Sequence, residues 1–112
     1  MDPTDFLPLH PLELRILLVA SEGPTHGYRI VKAIEHGEGD RRKLYPANLY
    51  RRIRDLGARG LLVEVPPPPS EEPPGRPRTY FAITALGREV VRAEVARLEE
   101  QVRYARRAMS PG

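Results

Sequence analysis

The chain has no cysteine and no tryptophan, only two methionines, and only two lysines among its 18 basic residues. Without cysteine there is no disulfide, no thiolate metal site and no cysteine nucleophile. That suits a reducing compartment, and the N-terminal stretch lacks the basic-then-apolar layout of a secretory signal, so a cytoplasmic protein is expected. No apolar run reaches the roughly 20 residues of a membrane-spanning helix, which excludes a membrane partner. The histidines, His10, His26 and His36, have no ligand spacing with one another or with acidic clusters, so no metal is expected. No Ser-His-Asp arrangement, glycine-rich phosphate loop or carboxylate pair stands out. An enzyme or a bound cofactor would have no residues to rest on, and neither is expected.

What is present fits one domain of 112 residues, 40% hydrophobic and 29% charged. A domain this small buries a modest fraction of its surface, so self-association would help it. The net charge of +3 is unevenly spread: Met1–Pro24 holds one basic and four acidic residues, whereas Thr25–Gly60 holds nine basic and four acidic. A basic segment in mid-chain is what a footprint on phosphate requires; a solvated arginine-rich helix face is the alternative reading.

Apolar spacing sets out the elements. Leu9, Leu12, Ile16 and Val19 recur at three and four residues, predicting a helix over Leu9–Ala20 that stops at Glu22-Gly23-Pro24. Thr25 stands where an N-cap belongs, before a second helix to about His36 on which Tyr28, Val31 and Ile34 share a side. Pro46 suits a first helical position. The third helix therefore begins near Tyr45-Pro46, buries Leu49, Ile53 and Leu56, and ends at Gly57 and Gly60. At roughly 100° per residue, Ala47, Arg51, Arg54 and Ala58 fall on the opposite face, which is basic with small residues between the arginines.

Leu61–Val65 and Thr79–Ile83 are β-prone and flank a stretch, Pro66 to Pro77, with seven prolines in twelve positions. Two strands around this stiff tip form a hairpin. Thr84 opens a last helix to about Met109, along which Val91, Val95, Leu98, Val102, Ala105 and Met109 alternate spacings of four and three. So long a helix reaches past a core of three short ones, and a second copy is the simplest cover for its seam. The seam could instead fold back on its own domain. Leu9 and Leu12 of the first helix are placed at the same interface.

The expected fold is α+β, mainly α. Residues 1–83 form a winged helix-turn-helix with a two-stranded wing, and residues 84–112 a long C-terminal dimerisation helix. In that architecture the third helix enters the major groove, whose width admits one helix. The expected partners are double-stranded DNA and a second copy of the chain. The rival reading is a winged-helix module that sets its basic face against an acidic protein.

The stretches Leu17-Leu18-Val19-Ala20-Ser21-Glu22-Gly23-Pro24-Thr25-His26-Gly27-Tyr28, Leu44-Tyr45-Pro46-Ala47-Asn48-Leu49-Tyr50-Arg51, Arg59-Gly60-Leu61-Leu62 and Arg76-Pro77-Arg78-Thr79-Tyr80-Phe81-Ala82-Ile83-Thr84-Ala85-Leu86-Gly87-Arg88 resemble the PadR family of bacterial transcriptional regulators. The single C-terminal helix is similar to its short subfamily. The resemblance implies a homodimer that represses transcription on a palindromic operator and is released by a small-molecule or stress signal. Carried onto matching positions, it implies DNA contacts at Tyr28, Lys43, Pro46, Ala47, Asn48, Tyr50, Arg51, Arg76 and Arg78. Where the family commonly starts the third helix with a Ser-Pro-Gly-Thr type of sequence, this chain has Tyr45-Pro46-Ala47-Asn48, and Asn48 can bond an adenine edge in two places. Some members bind flat molecules between tryptophans at the dimer interface, a mode for which this chain has no tryptophan.

Arg51, facing outward, is the expected base reader, able to pair with guanine O6 and N7; pairing with Asp55 is its alternative. Lys43 and Arg54 suit phosphate contacts, which position without reading sequence. Tyr50 suits either a phosphate hydrogen bond or packing on the wing. Arg76 and Arg78 suit a wing reaching the minor groove or the phosphates, against an idle surface loop. His26 reads as a capping or packing residue.

Overall fold

The computed structural model describes residues 2–36, 46–69 and 78–111, with the side chains at 46 and 47 outside that description. Lys43 and Arg76 therefore lie outside the described residues, as do the basic connection 41–43 and the side chains of Pro46 and Ala47.

A short 3₁₀ turn, Pro3–Phe6, precedes α1, Pro11–Ser21. The helix starts two residues later than the apolar spacing suggests, for a capping reason. His10 Nδ1 accepts the Leu12 N–H at 3.0 Å, Glu13 accepts the His10 N–H at 3.0 Å, and Pro11 loses nothing at a first position with no N–H to satisfy. Leu9, expected at a dimer face, is 6% exposed and belongs to the core of its own protomer. Its N–H donates to Glu94 at 2.7 Å.

Thr25 does not cap α2. With His26 it forms a two-residue strand, β1 (Thr25–His26), and the cap passes to His26, whose Nδ1 accepts the Arg29 N–H at 3.2 Å at the start of α2 (Gly27–His36). The cause is a free neighbour: β3 (Tyr80–Ile83) pairs with β2 (Leu62–Val65) along one edge and takes β1 along the other, both antiparallel. The expected two-stranded wing is thus part of a three-stranded sheet in the order β1-β3-β2. Apart from β1 and the leading 3₁₀ turn, the element order is the one expected, and so is the mainly helical class.

The third helix, α3 (Pro46–Ala58), buries Leu49, Ile53 and Leu56 against Ile16, Leu17 and Ala20 of α1, Ile30 and Ile34 of α2, and Leu61 and Leu62. Glu13 ties its far end down, since Arg59 pairs with the same carboxylate oxygen that Arg52 approaches at 3.9 Å. One glutamate thereby caps α1 and sets the lie of α3.

The last helix, α4, spans Ala85–Ala108. Thr84 caps it by accepting the Gly87 N–H at 2.9 Å, and the same hydroxyl donates to the Gly60 carbonyl at 2.6 Å. Gly87 is where α4 crosses the entry to β2. A Cβ there would strike the Leu61 carbonyl oxygen and fall 2.7 Å from Ile83 Cγ1. Backbone cannot step aside as a side chain can. Gly87→Ala should destabilise the protein by about 2–3 kcal/mol, the cost of overpacking against fixed atoms. Urea denaturation checks this, and wild-type stability in that variant would refute the close approach.

Val90 and Glu94 are the last buried positions of α4, and every residue from Glu99 to Pro111 is exposed. The radius of gyration, 16.1 Å, exceeds the roughly 13 Å of a compact chain of this length because the helix projects.

Candidate nucleic-acid interface

The turned-out face of α3 carries Asn48, Arg51, Arg54 and Ala58, all exposed. Neither Arg51 nor Arg54 makes an ion pair with a described residue, so the Arg51–Asp55 alternative does not form. By contrast Arg52, half-buried on α3, and Arg59, in the turn just past its end, are taken up by Glu13. Pairing separates the two sets: Arg52 and Arg59 are tied to Glu13, whereas Arg51 and Arg54 have no ion pair with a described residue.

Beside α3 a groove of about 400 Å³ opens between Gly27, Tyr28, Tyr50 and Arg78. Gly27, without a side chain, lets the Tyr50 ring come close to α2 at the edge of the groove. A Cβ there would overlap the Tyr50 ring and fall 2.8 Å from its hydroxyl, so the ring lies directly on the first turn of α2. Tyr50 packs on α2 while remaining 45% exposed. Tyr28 is 56% exposed and is flanked by two cations, Lys32 Nζ at 5.5 Å and Arg78 Cζ at 5.1 Å from the ring centroid. Exposed rings between cations hold those charges in place without neutralising them.

The structure brings together Tyr28, Tyr50 and Arg78, and sets Asn48, Arg51 and Arg54 on the adjoining helix face. Two further residues join the site, of which only Lys32 went unmarked in the sequence. Lys32 lies one helical turn beyond Tyr28, a spacing at which side chains meet. His26 is buried, caps α2, and meets Tyr80 edge-on with centroids 5.2 Å apart. The capping role was legible, but the strand that buries the ring was not.

At the expected dimer seam, Leu12, Val91 and Leu98 are half-buried, while Val95, Val102, Ala105 and Met109 are exposed. Met109 is 82% exposed. Among the described residues no group of three metal-ligating side chains could hold a metal ion, and no helix is long and apolar enough to cross a membrane.

Residues 16–93 match the model of the transcriptional regulator PadR-like family. A protein of the Streptomyces fradiae transposon TN4556, uncharacterized and of 37.1 kDa, is 38% identical over 93 residues, covering 80% of this chain and 24% of its own length. The chain thus spans about a quarter of the curated relative it matches. Among solved structures, a PadR-like transcriptional regulator from Bacillus cereus superposes with a TM-score of 0.72 at 19% identity, over 90% of this chain and 93% of that one. Bacillus subtilis PadR, solved in complex with operator DNA, superposes with a TM-score of 0.65 at 16% identity, over 79% of this chain and 48% of that one. At such identities these structures establish the fold, a winged helix.

Proposed function

The chain belongs to the PadR-like family of transcriptional regulators, and we propose that it is a cytoplasmic repressor that binds a palindromic operator as a homodimer and is released by a small-molecule or stress signal. In this reading residues 1–83 meet the DNA and residues 84–112 pair the protomers, although the first half of α4 is also core. The observation that carries the reading is the outward face of α3, where Arg51 and Arg54 are exposed without an ion-pair partner among the described residues. An unpaired arginine on an exposed helix keeps its forked donors for a base edge or a phosphate.

Roles follow from position. Arg51 reads a guanine edge and Asn48 an adenine edge, while Arg54, further along the helix, meets phosphate. Pro46 and Ala47 let the start of α3 approach the groove closely, and Tyr28 and Tyr50 line its flank. Lys43 and the wing residue Arg76 add phosphate contacts.

Selection of bound duplex from a random-sequence pool tests the reading: one palindrome should emerge, with affinity falling steeply as salt rises. Binding without sequence selection, or binding only to an acidic protein, would refute it. On the selected duplex Arg51→Ala should cost about 1–3 kcal/mol and relax selectivity at one position of each half-site. Arg54→Ala should weaken all sequences alike and reduce the salt slope by about 1.

A further inference from the structure

Arg78 has an arrangement that a phosphate contact alone would not need. In the β1–β3 ladder Thr25 faces Phe81 and His26 faces Tyr80. Past His26 the chain turns into α2 at Gly27, which brings Tyr28, on its first turn, beside Arg78. The β2–β3 ladder closes with Val65 facing Tyr80, and its continuation sets Arg78 opposite Pro67. Proline has no N–H with which to extend a ladder, so the backbone pairing of the wing stops short of Arg78, and its side chain takes over.

The guanidinium reaches two rings at once. Cζ is 5.1 Å from the Tyr28 centroid, and Nη1 is 3.3 Å from Nδ1 and 3.4 Å from Nε2 of His26. Near-equal distances to both ring nitrogens describe a group set against the imidazole as a whole, not a single in-line hydrogen bond. The two rings are themselves close to parallel, 20° apart in plane with centroids 6.4 Å apart. His26 is in turn fixed by the Arg29 N–H on Nδ1 and by Tyr80 at its edge. A chain of contacts thus runs from the buried start of the sheet through His26 and Arg78 to the exposed Tyr28.

We propose that Arg78 is a positioning residue: by contacting His26 and Tyr28 together, it locks the base of the wing to α2 and presents the Tyr28 phenol to DNA, without itself contacting phosphate. The proposal rests on the reading of α3 as the DNA-facing helix. It requires a flat cation, because a guanidinium lies along a ring face where the compact ammonium of lysine does not reproduce the contact.

The test uses the duplex recovered from the random pool with wild-type protein. Arg78→Ala should weaken binding roughly three- to tenfold, the range of a partly solvated cation–ring contact, with the slope of log affinity against log salt unchanged. Arg78→Lys should be as weak as Arg78→Ala, and Tyr28→Ala/Arg78→Ala should be no weaker than Tyr28→Ala. A wild-type affinity for Arg78→Lys, with a slope about 0.9 smaller in Arg78→Ala, marks a phosphate contact and overturns the proposal. So does an Arg78→Ala protein that binds as wild type, or a double variant whose losses add. A DNA-free arm separates failure here from failure of the functional reading. In the free protein the Tyr28 ring resonances should shift in both Arg78 variants while those of Tyr104, far out on α4, stay in place. An unmoved Tyr28 ring overturns the positioning role whether or not any duplex is bound.

Discussion

Val102→Glu should leave a folded monomer whose affinity for a palindromic duplex has dropped by about 10²-fold or more. Val102 is 49% exposed on the part of α4 that stands clear of the core, so a glutamate there meets no protomer atom that it could disrupt. The helix should survive, since glutamate is a better helix former than valine. What the charge does disturb is the seam. Val95, Val102 and Met109 repeat every seven residues and alternate with Val91, Leu98 and Ala105, and such a stripe on a projecting helix is covered most simply by its own copy across a two-fold axis. In a two-fold interface one substitution enters twice, bringing two carboxylates into the apolar seam.

In the proposed dimer the loss on DNA should exceed that of any single contact, because the second half-site would be bound at a local concentration set by the first. Removing that linkage costs about 10²–10⁴ in apparent affinity with no contact to DNA altered. Sedimentation or light scattering reads the mass, and titration of the selected duplex reads the affinity. A Val102→Glu protein that remains dimeric would show that the seam is not the interface. A monomer that binds as tightly as wild type would show that pairing is not needed on DNA.

The parts of this architecture that repeat with a helix period were legible in the sequence, and those fixed by a distant partner were not. Leu49, Ile53 and Leu56 announce the buried side of α3 by spacing alone, and they also determine which arginines face outward. Pro46 and Thr84 announce two helix starts, at which the structure begins α3 and α4. Thr25 and His26 could not be read the same way, because two residues are too few for an alternating pattern and their strand exists only through β3. Leu9 looked like the opening of a helix since its spacing to Leu12 and Ile16 is helical; its N–H is instead taken by a carboxylate 85 residues away. Arg78 was visible as a charge on the wing, but its partners lie on β1 and α2, some fifty residues away in sequence, and no local pattern contains them. Glu94 is the instructive case. It lies four residues from both Val90 and Leu98, on the inward stripe, and a lone carboxylate at such a position is a signal that partners must exist.

Those partners make Glu94 the charge whose removal should cost the fold most. The residue is 1% exposed, accepts the Leu9 N–H at 2.7 Å and binds the Arg97 guanidinium, so it fastens the N-terminal segment to α4. Glu94→Ala leaves a buried N–H without an acceptor and should lower stability by about 2–4 kcal/mol. Glu94→Gln keeps an acceptor for Leu9 but loses the charge on Arg97, and should fall about midway. The hydrogen bond from Arg97 holds the Glu94 carboxyl below the ordinary glutamate value of 4.5, with burial opposing and the Leu9 N–H reinforcing that shift. The folded state therefore releases this proton more readily than the unfolded chain, and stability rises with pH across that range. The contribution is fully present above about pH 4.5 and is lost as pH falls through the lower folded-state value. Asp2, held low chiefly by the Thr4 N–H, acts in the same direction, so the informative quantity is the difference between proteins. Wild type and Glu94→Gln should converge in urea stability between pH 5 and pH 3, because acid converts the wild-type side chain to a neutral one. Parallel curves over that interval would place the carboxylate outside the ion pair and return its burial to packing alone.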